Sequence, residues 1–182
     1  MELIEAIKQR RSIRSYRSDE VTDELLEQVL EAARWAPSWA NTQCWEFIIV
    51  KDKQTKEKLA GTLASANPAR GAFNTAPIVI VACGRKGKSG FYKGEATTVK
   101  GDWFMFDVAL AMQNLALTAH SLGLGTVHVG LFDSKKAEEV LGVPSEVEVV
   151  EMTPLGYPEK IPNAPARKEL KDFIFYERYG NK

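Results

Sequence analysis

Arg10-Arg11-Ser12-Ile13-Arg14 and Ala36-Pro37-Ser38-Trp39-Ala40-Asn41-Thr42-Gln43-Cys44-Trp45 are the two stretches on which the reading of this chain turns. The first places three arginines and a serine within five positions, directly after apolar residues at helical spacing, Leu3, Ile4 and Ile7. That is a donor-rich, positive corner at a helix end. Guanidinium groups hold phosphate through planar, often bidentate hydrogen bonds. The second stretch surrounds a proline with short polar side chains and two tryptophans, a composition suited to a flat, polar ligand. Together they point to a molecule with both a phosphate and a planar heterocycle. A solvated helix terminus and a polar turn after a proline are the plain alternatives.

Working outward, Thr22 followed by Asp23 and Glu24 reads as a helix N-cap with acids in the first turn. Leu25, Leu26, Val29, Leu30 and Ala33 continue as an apolar stripe. Pro37 is expected to stop that helix, because the residue before a proline is pushed out of helical geometry. Trp45–Val50 and Ala76–Cys83 read as buried strands, with a short helix at Thr55–Leu63 between them. Gly84–Gly101, with Gly87, Gly90 and Gly94, reads as a mobile segment, either a lid or an ordinary surface loop. Asp102–Leu122 is apolar on nearly all sides, as befits a helix in a core or at a subunit contact, and Gly123 ends it. Gly125–Phe132 is expected to be a strand, and Asp133 to cap a helix at Ser134–Leu141. Val147–Met152 is expected to be a strand. In the tail, Lys168–Asp172 favours helix and Phe173–Tyr176 favours extended chain. Irregular alternation of helices and strands without repeats, linkers or low-complexity segments indicates one α+β domain over residues 1–182.

The motifs also resemble a known family. Arg-Arg-Ser-Ile-Arg, Ala-Pro-Ser-x-x-Asn-x-Gln-x-Trp, Leu-Gly-Leu-Gly-Thr at 122–126, Pro-Leu-Gly-Tyr-Pro at 154–158 and the closing Tyr-Glu-Arg-Tyr-Gly at 176–180 occur in the order seen in FMN-dependent nitroreductases. The resemblance runs through nearly the whole chain. It implies a mixed sheet flanked by helices and an intertwined homodimer with shared active sites. It also implies an FMN-dependent oxidoreductase that takes electrons from NADH or NADPH. These would pass to a small acceptor such as a nitroaromatic or a quinone by a ping-pong mechanism.

By the same resemblance, Arg10, Arg11, Ser12 and Arg167 hold the phosphate and ribityl chain, with Lys168 a weaker candidate. Arg14 lies near the pyrimidine edge and tunes the ring, since a cation there stabilises the charge that reduction adds. Pro37, Ser38, Trp39, Asn41 and Gln43 reach the flavin bound mainly by the other subunit, although Trp39 and Trp45 read more readily as packing residues than as ligands. Val129, Gly130 and Leu131 offer main chain to the ring, where a glycine permits close approach. Many relatives have proline where this chain has Cys44. No side chain is assigned a catalytic role, because the flavin performs the hydride transfer. His120 and His128 read as structural.

Bulk properties narrow the field. Lysine plus arginine and aspartate plus glutamate number 24 each, so no global field recruits nucleic acid or an anionic membrane. No run of 18 apolar residues and no signal-like N-terminus is present. Cys44 and Cys83 have no partners at metal-ligand spacing, so no metal is expected and a reducing cytoplasm is. There is no Gly-x-Gly-x-x-Gly after a first strand, no Walker-type loop and no Gly-x-Ser-x-Gly elbow. The competing readings are a flavin store or sensor without turnover, and a family offshoot that dehalogenates or fragments flavin.

Overall fold

The computed structural model describes all of residues 1–182. Its centre is strand β2 (Ile78–Arg85), buried from Ile78 through Gly84. The strand starts two residues later than its apolar run, because Ala76 closes the short helix α4 (Ala72–Thr75) and Pro77 has no N–H to give a ladder. β2 pairs antiparallel with β1 (Trp45–Val50) on one side and with β5 (Val147–Leu155) on the other. β5 runs three residues past its expected end at Met152, and its register against β2 shifts between Ala82 and Cys83.

The run reads as continuously apolar because both sheet faces are covered. Ile78, Ile80 and Ala82 face a core built with α2 (Asp23–Arg34) and α5 (Phe104–Ser121). Val79, Val81 and Cys83 face a second core with α4, α3 (Lys53–Thr62) and α6 (Ser134–Leu141). Burying each such aliphatic side chain contributes about 1.5–3 kcal/mol relative to exposure. The Lys56 ammonium, buried against the second core, donates to the carbonyls of Ala76 (2.7 Å) and Pro77 (3.2 Å). It thereby ties α3 to the chain entering β2.

Helix ends follow from local chemistry. Thr22 Oγ1 accepts from the Leu25 N–H, as expected of the α2 cap. α2 ends at Arg34, because Ala36 already bonds Ala33 O in a tighter turn ahead of Pro37. Asp52 accepts from both the N–H and the hydroxyl of Thr55 at 2.7 Å, which starts α3 two residues before Thr55. Gly123 (φ 79°) ends α5, and Asp133 caps α6. The tail helix α7 is Leu170–Phe173, later than expected because Glu169 and Asp172 form its capping box. Ile174 is extended.

The middle of Gly84–Gly101 forms a hairpin of β3 (Phe91–Tyr92) and β4 (Glu95–Ala96), turned by Lys93 and Gly94, both with positive φ. One expectation changes. Residues 125–132 form no strand. Gly125 bridges Gly156, Thr126 bridges Ser12, Val129 bridges Met152 and Phe132 bridges Leu63, so four different partners draw the segment out of any single ladder. The architecture is α+β, with antiparallel strands; the Ser12–Thr126 bridge is the sole parallel pairing. No helix is long and apolar enough to cross a membrane.

Candidate functional site

The Arg10–Arg14 segment leaves helix α1 (Leu3–Gln9) in extended geometry and is pinned by the two glycine-bearing motifs. The Ile13 N–H donates to Thr126 O at 2.9 Å. A Cβ on Gly125 would stand 2.6 Å from Ile13 Cγ1, so only glycine allows this approach. Below it, Gly125 N–H donates to Gly156 O at 2.8 Å, and Arg17 N–H to Tyr157 O at 3.0 Å. The buried Tyr16 hydroxyl donates toward Ile13 O (2.8 Å) and Pro154 O (3.2 Å). Leu122–Thr126 and Pro154–Pro158 thus act as a two-sided clamp on the arginine segment.

That clamp turns Arg10, Arg11, Ser12 and Arg14 into a cleft of about 420 Å³, closed on its far side by Asn163 and Arg167 of the returning tail. None of these four arginines pairs with a carboxylate. Burial, then the charges of Arg11 and Arg167, disfavour the Arg10 cation and hold its pKa below the ordinary guanidinium value. Arg10 Nη1 is buried without a partner. Arg11 Nη1 donates to the carbonyls of Lys8 (2.7 Å) and Arg10 (2.8 Å), but four guanidinium charges without a carboxylate around one concavity still favour an anion.

Arg14 also lines a second cleft, of about 290 Å³, formed by Val127–Leu131 and the turn at Ala64–Ala69. Val129 is buried and exchanges both backbone hydrogen bonds with Met152, so its main chain is committed to the fold. The N–H groups of Gly130 and Leu131 make no bond within the chain. A Cβ on Gly130 would meet nothing within 4 Å, so internal packing does not require this glycine. Asn67 holds the cleft wall: its Nδ2 donates to Leu131 O at 3.0 Å and its Oδ1 accepts from Ala69 N–H. Sequence reading passed over Asn67 and Asn163; the Asn67-Pro68 turn signal is visible there, but not what it faces.

The Pro37–Gln43 group stands apart. Within one chain Gln43 lines neither cleft above but a third, beside Trp45 and Arg85. The loop makes a tight turn at Trp39–Asn41, with Ala40, Asn41 and Gln43 all at positive φ (44°, 56° and 47°). Gln43 N–H donates to Ser38 Oγ at 2.9 Å. Trp39 packs against Trp103 with ring centroids 5.3 Å apart, and Trp103 against Phe106 at 5.5 Å. Pro37, Asn41 and Gln43 stay exposed. Cys44 is buried, and desolvation, then the nearby Asp107 carboxylate, push its thiol up to about 12. It is no nucleophile near neutral pH.

A family model described as the nitroreductase family matches residues 7–72 and 62–157. A protein of Methanothermobacter thermautotrophicus bearing the name NADH dehydrogenase/NAD(P)H nitroreductase is 34% identical over 166 residues, 89% of this chain and 80% of that one. The FMN reductase [NAD(P)H] of Bacillus subtilis is 31% identical over 168 residues, covering 86% of this chain and 66% of the relative. Among solved structures, an FMN-dependent nitroreductase from Clostridium difficile superposes with a TM-score of 0.81 at 28% identity, covering 97% of this chain and 99% of that one.

Proposed function

The chain belongs to the nitroreductase family, and from that premise we propose that it works as an FMN-dependent oxidoreductase, a single domain using NAD(P)H to reduce small acceptors such as nitroaromatics and quinones. The observation that carries the proposal is the cleft lined by four arginines with no carboxylate partner, with the orphaned Nη1 of Arg10 beside it. FMN ends in a phosphate monoester that meets this need, and the residues present fit it.

Arg10, Arg11, Ser12 and Arg167 would hold the phosphate end. Arg14, standing between the two clefts, would place a cation at the ring. The free N–H groups of Gly130 and Leu131 would face the ring from the wall of the second cleft. When bound, the flavin supplies the redox chemistry, accepting two electrons from NAD(P)H and giving them to the acceptor in a ping-pong cycle. The chain's part is positioning and electrostatics.

The working unit in this reading is a homodimer. α1 exposes Leu3, Ile4 and Ile7; α5 exposes Met105 and Phe106; the tail exposes Phe173, Tyr176 and Tyr179. Apolar patches of this extent mark contact surfaces, and the partner's Pro37–Gln43 loop would complete each site. Cys44 and Cys83, both free and buried, fit a reducing compartment, and we assign the protein to the cytoplasm.

Aerobic NAD(P)H oxidation by the FMN-loaded protein, with and without a quinone, is the test. Turnover stimulated by the quinone is the expected result. Bound flavin that NAD(P)H does not bleach would assign the protein to storage instead.

A further inference from the structure

Asp107 is the only buried acid of the chain, on the first turn of α5. Removing a carboxylate from water carries a large desolvation penalty unless donors replace the water. Here every donor comes from one loop. The Trp39 N–H reaches Oδ1 at 3.1 Å and Oδ2 at 3.2 Å; the Thr42 hydroxyl lies 3.4 Å and the Cys44 thiol 3.5 Å from Oδ2. The start of α5 adds a favourable dipole. One carboxylate therefore gathers both ends of the Trp39–Cys44 loop.

The loop needs such a hold. Ala40, Asn41 and Gln43 all sit in the left-handed region, which non-glycine residues occupy only where surrounding contacts over-determine them. The strain serves no internal packing that can be seen: the side chains of Asn41 and Gln43 remain exposed.

We infer that Asp107 is a positioning residue of the flavin site, fixing the Ser38–Gln43 loop in the one arrangement that meets the ring of a flavin held by the partner. The inference rests on the proposed FMN reading. In this reading the phosphate end is held by Arg10, Arg11 and Arg167, which line clefts that share no residue with the loop bound by Asp107, so the two halves of the ligand are expected to respond differently when Asp107 is changed. Asp107→Asn keeps the shape of the side chain but turns an acceptor into a donor facing other donors.

The experiment compares apo-protein carrying Asp107→Asn with wild type, titrated with FMN by absorbance and with inorganic phosphate by calorimetry. FMN affinity is expected to fall about tenfold, the effect of losing one charge-assisted bond, with an altered shape of the bound-flavin absorbance band. Phosphate affinity is expected to stay within about twofold. Thr42→Val, which removes one donor and leaves the carboxylate, should move FMN in the same direction by a smaller factor and supplies the test if Asp107→Asn does not fold. Unchanged FMN affinity and spectrum in a folded variant would overturn the inference. So would equal losses of FMN and phosphate, which describe general destabilisation. Wild-type protein that binds phosphate but no FMN would overturn the flavin reading itself, a separable outcome.

Discussion

Arg14 differs from its arginine neighbours in position: it lines both clefts, whereas Arg10, Arg11 and Arg167 line only clefts on the phosphate side. A cation at the ring favours the negative charge that reduction adds, while a cation at the phosphate does not distinguish the two redox states. With FMN fully loaded, Arg14→Ala is expected to lower the flavin midpoint potential by on the order of 30 mV, a tenfold change for a two-electron couple. Arg11→Ala should weaken loading and leave the potential in place. An unshifted potential in Arg14→Ala would remove its assigned role.

His120 gives the site a pH dependence. It closes a small void with Arg10, Arg11 and Thr126, and its Nε2 has no partner. Burial first, then the charges of Arg10 and Arg11, hold its pKa below the ordinary histidine value. The unfolded chain therefore binds more protons than the folded one as pH falls through about 6.5, and stability is lost in that window. Urea melts at pH 7.5 and 5.5 should show a smaller acid loss in His120→Gln than in wild type; equal losses would refute the linkage. The arginine cluster was visible in the sequence, but by itself it reads equally as a solvated helix terminus, and the family resemblance is what pointed it to a phosphate. Asp107 was not legible: an acid in an apolar helix announces an anomaly, and only the fold shows that it answers donors 65 and 68 residues away.

At the scale of elements, Leu-Gly-Leu-Gly-Thr is two devices in series. Gly123 releases α5 at positive φ, and Gly125 lets the arginine segment lie against the chain. Gly125→Ala would drive a Cβ into Ile13, whose neighbours Ser12 and Arg14 line the clefts. Overpacking of this kind costs about 1–3 kcal/mol, and here its displacement falls on the ligand site. FMN affinity is expected to drop in Gly125→Ala while Gly130→Ala, in open space, keeps its fold. A Gly125→Ala protein with wild-type stability and FMN affinity would show that the clamp is not tight. Elements with strong internal signals were legible: β1, α2 and α6 lie where caps and apolar periods placed them. Residues 125–132 misled because β-branched residues promise a strand without naming the partner, and four bridges compete for them. In the glycine-rich 84–101 region the hairpin was not legible, since positive-φ residues serve open loops and tight hairpins alike.

For the whole molecule, exposed large apolar side chains cluster on α1, at the start of α5 and on the tail, with Trp35, Tyr92, Val99 and Leu131 exposed singly elsewhere. From Glu159 to the C-terminus every residue except Phe175 is exposed. A tail of that composition needs a surface, and in the proposed dimer a second copy would supply one. Deleting residues 173–182, which keeps Arg167, is expected to weaken dimerisation and FMN retention together, read by analytical ultracentrifugation with flavin absorbance; a truncated monomer that retained FMN fully would show that the site is not shared. The proposed dimer lies outside what periodicity can reveal, since a helix apolar all round reads the same in a core and at an interface. The claim on which all of this depends is that the arginine cleft holds a flavin phosphate. Titration of the apo-protein with FMN, followed by absorbance and by phosphorus content after gel filtration, tests it most directly. The account predicts a yellow protein retaining about one FMN per chain, with uptake competed by inorganic phosphate. A colourless protein that takes up no FMN from excess would contradict it.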